Sequence, residues 1–99
     1  MAKPLIEIDA ASRAALQAMA EPYFGKADCA ELMRAIRAHL QARHPKRQID
    51  VAHVAHEPDL WEGRIRALVI VDGAMDQGLI FTRAPASDDA AGDYLSRAA

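Results

Sequence analysis

Cysteine occurs once in the 99 residues, at Cys29, so no internal disulfide can form and no CxxC pair exists to hold zinc. Long apolar runs are absent too: none approaches the ~18 residues that a membrane-crossing helix requires. A basic excess is missing, with 12 Lys and Arg against 14 Asp and Glu and a net charge of −2. No nucleic-acid partner is therefore expected, because phosphate binding needs a clustered positive surface. The opening Met1-Ala2-Lys3-Pro4-Leu5-Ile6-Glu7 interrupts its apolar residues with an acid too early for a signal peptide, and the expected address is cytoplasmic. Glycine-rich phosphate loops, nucleophile-elbow glycines and HExxH are all lacking. Large aliphatics are scarce: Val, Ile, Leu and Phe together number 21, while alanine alone reaches 22. The length makes one domain, over residues 1–86, with a short polar segment at 87–99. Its core must be thin, and association with a second copy is an economical way to cover more apolar surface.

What is present has a clear order. Leu5-Ile6-Glu7-Ile8 alternates like a short strand with Ile6 and Ile8 on one face. Asp9 is suited to cap a helix running toward Glu21, with Ala11, Ala15, Leu16 and Met19 as its inner stripe. Pro22 and Gly25 break that pattern, leaving Tyr23 and Phe24 in a connector where aromatics plug one end of a core. Asp28 and Glu31 then resemble a capping box, and Cys29, Leu32, Met33, Ile36 and Leu40 recur at helical spacing. Arg43 and His44 suit the negative end of that helix, and Pro45 cannot continue it.

After Gln48 the period changes from helical to two. Ile49, Val51 and His53 alternate with Asp50, Ala52 and Val54, giving a second strand. His56 to Gly63 reads as a loop, and Arg64 to Val71 as a third, central strand with Ile65, Ala67, Val69 and Val71 facing one way and Leu68 and Ile70 the other. Asp72 to Gly78 reads as a turn before a fourth strand over Leu79–Arg83. In the polar tail, Ser87-Asp88-Asp89 can open a last, frayed helix carrying Tyr94 and Leu95.

The run Ala30-Glu31-Leu32-Met33-Arg34-Ala35-Ile36-Arg37-Ala38-His39-Leu40, followed by Pro45, Val51-Ala52-His53-Val54-Ala55, an acidic loop and Ala67-Leu68-Val69-Ile70-Val71-Asp72, resembles the C-terminal domain of the enhanced serine sensitivity (SseB) protein family. The likeness spans Asp28 to Asp76, about half of the chain. It implies a small bacterial α+β module with a binding or regulatory role, and supplies no catalytic residues. Past Asp76 the family pattern implies further helix, whereas this sequence reads Leu79-Ile80-Phe81 as strand.

Candidate sites are few. His53, His56, Glu57 and Asp59 place four potential ligands within seven residues, yet the two histidines are three apart and point to opposite faces of a strand, so no metal site is assigned. His39 and His44 with Arg43, Lys46 and Arg47 gather at a helix C-terminus, whose carbonyls repel anions. Cys29 lies on an apolar helix face, where a thiol stays inert. Trp61 has two readings: a lid over the open end of the sheet against Tyr23 or Phe24, or an anchor for a partner.

The expected architecture is an α+β two-layer sandwich, with two helices on one face of a mostly antiparallel sheet of three or four strands in the order β-α-α-β-β-β. Leu5, Ala52, Val54, Leu68, Ile70 and Ile80 would then populate the other face, which the tail, a second copy of the chain or a different protein must cover. The reading is a cytoplasmic, non-enzymatic interaction or regulatory module acting as a homodimer, with Trp61, Leu68, Ile70, Val54 and Ile80 at the interface and no cofactor. The alternative is a small-ligand or metal-binding protein using His53 to Asp59.

Overall fold

Asp9 starts the first helix as its chemistry predicts. Its backbone is extended and its carboxylate accepts from the Ser12 amide at 2.8 Å, so α1 runs over Ala10–Ala20 in the computed structural model, which describes residues 3–83. A 3-10 turn over Glu21–Tyr23 follows, and Gly25 reverses the chain with a φ of +83°. The Asp28 carboxylate accepts from the Ala30 amide at 3.0 Å, and α2 then spans Ala30–Arg43 and stops at His44, before Pro45. The proposed tail helix and its Tyr94 and Leu95 lie outside the described residues.

The protein is an α+β fold, with α1 and α2 over one face of a three-stranded antiparallel sheet ordered β1-β2-β3. These strands are Ile49–His53 (β1), Arg64–Val71 (β2) and Ala74–Thr82 (β3). Asp72 and Gly73 make a tight connection between β2 and β3, with φ of +54° and +83°. Two left-handed residues match the twist of flanking strands, which is why Asp-Gly suits this place. The turn read over Asp72 to Gly78 is thus two residues long, and the last strand begins at Ala74 rather than Leu79. Asp76 is left unopposed in a bulge, since Val69 pairs with Gln77 and Ile70 with Met75.

That bulge also explains why Leu5 to Ile8 is not a strand among the described residues. The Asp76 carboxylate accepts from the Leu5 amide at 2.6 Å, and the Gln77 side-chain amide donates to the Ile6 carbonyl at 3.0 Å. Side chains have taken the place of a ladder. Ile6 and Ile8 still enter the core, as the alternation requires.

One layer of apolar side chains holds the two halves together. Leu16 and Ala20 of α1, and Leu32, Met33, Ile36 and Leu40 of α2, meet Ile49, Ile65, Ala67, Val69, Val71, Leu79 and Phe81 of the sheet. The buried stripe of α1 is rotated from the expected one: Ser12, Leu16 and Ala20 face in, Ala11 is exposed, and Ala15 and Met19 are half-buried. Ser12 tolerates burial because its hydroxyl lies 3.2 Å from His39 Nε2.

Asp72 also ties the hairpin to β1. Its carboxylate accepts from the Gln48 amide at 3.0 Å and from the Arg47 guanidinium at 2.7 Å, and these donors hold its carboxyl below the ordinary carboxylate range. The Ser12 amide does the same for Asp9, helped by Arg43. A pKa lowered by folding stabilises the native state above the unfolded value of ~3.9 and loses that contribution as pH falls through the folded value. The midpoint of thermal unfolding, followed by circular dichroism, is therefore expected to fall on acidification below about pH 4. Asp72→Asn keeps a residue tolerant of the turn and should flatten that acid limb; an unchanged limb would count against the assignment.

Candidate functional site

Directly opposed residues of an antiparallel sheet share a face, so the register fixes what the uncovered side presents. Asp50, Ile70 and Met75 form one row across it, Ala52, Leu68 and Gly78 the next, and then Arg66 with Ile80 and Arg64 with Thr82. Val54 extends this face past the end of β1, its amide donating to the Arg66 carbonyl at 3.0 Å. Helices α1 and α2 pack on the opposite side. Met75 is 73% exposed, Ile80 62% and Val54 44%. Leu68 and Ile70 are half-buried.

Four of the five residues read as interface, Val54, Leu68, Ile70 and Ile80, thus fall on one surface. Leu5, expected beside them, is exposed but off the sheet. Met75 belongs to the surface and was hidden by the overlong turn. Trp61 is not a lid: it is 78% exposed, away from the core that holds Phe24 and Tyr23.

Trp61 sits on a helix where the Pro, Gly and acids of the sequence predict a loop. Glu57–Glu62 form a short helix, α3, with Pro58 in its first turn and Gly63 after its last residue at φ +71°. Pro just inside the start and Gly just past the end were the available signal. A side chain at Gly63 would also meet Arg83, whose Cβ lies 3.1 Å from the position a methyl would take. Asp59, only 5% exposed, turns in from α3, and Arg66 Nε donates to its two oxygens at 3.0 and 3.3 Å. Glu62 pairs with Arg64. The basic end of the open face is therefore neutralised by acids of α3.

A second feature lies where α3 meets the connector before α2. A cleft of about 270 Å³ opens there, bounded by Lys26 and Ala27, by His53, Ala55 and His56, by Leu60 on α3 and by Ile65 on β2. His53 and His56 both border it, contrary to the expectation that they point apart, because β1 ends at His53 and the chain bends before α3. Even so, no three of His, Cys, Asp and Glu among the described residues are placed to hold a metal ion, and both oxygens of Asp59 are engaged by Arg66.

Among the described residues Cys29 and Ser12 are poorly placed to act as nucleophiles. Burial pushes the Cys29 thiol up, so at neutral pH it is protonated behind 2% exposure. Ser12 contacts His39 but is itself 2% exposed, beyond the reach of a substrate. No helix among the described residues is long and apolar enough to cross a membrane. No protein-family model, curated protein or solved structure matches the chain.

Proposed function

We propose that this protein is a non-enzymatic, cytoplasmic interaction module that works as a homodimer, with the open face of the sheet packed against the same face of a second copy. The observation that carries this reading is the group of apolar side chains on that face, Val54, Leu68, Ile70, Met75 and Ile80, with Met75 and Ile80 mostly in water. The largest apolar patch on a soluble monomer, typically ~300–600 Å², is often the surface through which it binds a partner. Three strands at ~4.8 Å spacing and five to eight residues at ~3.4 Å make a face of roughly 14 by 17–27 Å, or about 240–380 Å² with its charged positions included. That lies below the ~600 Å² per partner at which specific interfaces begin, so the pairing is a weak one. The association is expected in the micromolar range.

A second copy suits the face better than the chain's own tail. Residues 84–99 bring only Tyr94 and Leu95 as large apolar groups, too few for Val54, Leu68, Ile70, Met75 and Ile80. A two-fold pairing uses the same patch on both partners, so apolar side chains of one copy can meet apolar side chains of the other. The resemblance of Asp28 to Asp76 to a family with a binding or regulatory role points the same way.

Sedimentation equilibrium from about 5 µM to several hundred µM tests the reading, over the concentration span in which such small interfaces assemble. A monomer–dimer equilibrium is expected. A single monomeric mass throughout overturns it, as does a variant truncated after Arg83 that dimerises when the full chain does not, because the tail would then be the native cover.

A further inference from the structure

We infer that the cleft between α3, the end of β1 and the connector before α2 binds a small carboxylate with an aliphatic body. Its floor and walls are Ala27, Ala55, Leu60 and Ile65, so the body of an occupant meets hydrocarbon. Its volume of about 270 Å³ lies just under the ~300 Å³ at which pockets for drug-sized molecules begin, so the occupant is smaller than these.

Polarity decides the head group. Of the charged groups at the cleft, Asp59 is held by Arg66 and Arg64 by Glu62. Glu57, which also lines the cleft, has no side-chain partner among the described residues, but it stands in the first turn of α3, where the free amides of the helix favour an acid. Among the described residues the side chains of Lys26, His53 and His56 have no polar partner, and all three border the cleft. The ammonium offers only donors and each imidazole at least one, so together they suit an acceptor, and an ammonium favours an ionised one. An apolar pocket with a few convergent polar groups is the usual form of a small-molecule site. Neither imidazole is needed for folding by any contact described, and Lys26 is exposed, so the three can be varied without disturbing the core.

Hexanoate and its neutral isostere hexanamide are the probes. In ¹H–¹⁵N correlation spectra of the labelled full chain, hexanoate is expected to shift amides of residues 26–27, 53–57, 60 and 64–65, saturating in the millimolar range. Lys26→Gln is expected to weaken hexanoate ~10-fold, as loss of a charge-assisted hydrogen bond does, while leaving the spectrum elsewhere intact. His53→Ala with His56→Ala should weaken it further. Hexanamide binding as tightly as hexanoate overturns the carboxylate assignment. Shifts that do not saturate, or that scatter over the open sheet face, overturn the site. The same titration on the Ile80→Lys protein should give an equal affinity, so the cleft and the dimer stand or fall separately.

Discussion

Ile80→Lys combined with Met75→Lys is expected to weaken self-association at least ~100-fold, because two apolar anchors become ammonium groups that face their own copies across a two-fold axis. Each substituted side chain is exposed in the single molecule, at 62% and 73%. Lysine can keep its charge in water there, and the change in folding stability should stay within about 0.5 kcal/mol, as at other surface sites. Loss of association with an unchanged urea midpoint at low protein concentration is the expected pair of results. Leu68→Lys and Ile70→Lys are less selective tests, since those side chains are half-buried and a charge there costs stability in the monomer as well. Retention of the dimer in the double lysine variant would show that the copies meet elsewhere.

Ile36→Ala is expected to cost about 2–5 kcal/mol in urea unfolding, a large fraction of the ~5–15 kcal/mol that holds a typical domain. Ile36 is fully buried on α2, in the one layer of side chains between helices and sheet. A thin core has few neighbours able to move into the space left behind. Ile80→Ala, made in the monomeric regime, removes the same hydrocarbon from the same molecule and should cost well under 1 kcal/mol. The contrast is diagnostic: similar losses for the two would mean that the outer face is covered within the single chain.

Helix boundaries and the core stripe of α2 were legible because caps and periodicity agree there. Asp9 and Pro45 fall where the chain starts or stops helices, and every apolar residue read at helical spacing from Cys29 to Leu40 is buried. The capping box read from Asp28 and Glu31 does not form, since the residue before α2 is Cys29 and Asp28 accepts only from the Ala30 amide. The central strand was equally plain, since Ile65, Ala67, Val69 and Val71 alternate without interruption. Three features depended on non-local partners. The backbone of Leu5 and Ile6 is satisfied by Asp76 and Gln77, some 70 residues away, so an alternating pattern did not become a strand. Ser12 displaced Ala11 from the buried stripe of α1 because His39 waits across the helix interface. The Asp72-Gly73 hairpin was masked by Gly78, which looked like a second turn residue and is a strand position facing Leu68. The cleft depends on the bend after His53, which alternation alone does not reveal.

The site residues were legible only in part for a related reason. Which apolar residues share a face follows from period two, and Val54, Leu68, Ile70 and Ile80 could be grouped on that ground. Met75 joins them only once the bulge at Asp76 is known, because the extra residue restores its orientation toward Ile70.

Isotope-filtered NOE spectroscopy on an equal mixture of ¹³C-labelled and unlabelled chains reports contacts between copies and nothing within one. Cross-peaks from the methyls of Leu68, Ile70, Met75 and Ile80 to protons of the other chain are the predicted result. Their absence at concentrations where a dimer is present, or contacts confined to Leu5 and the opposite side of the molecule, would contradict it.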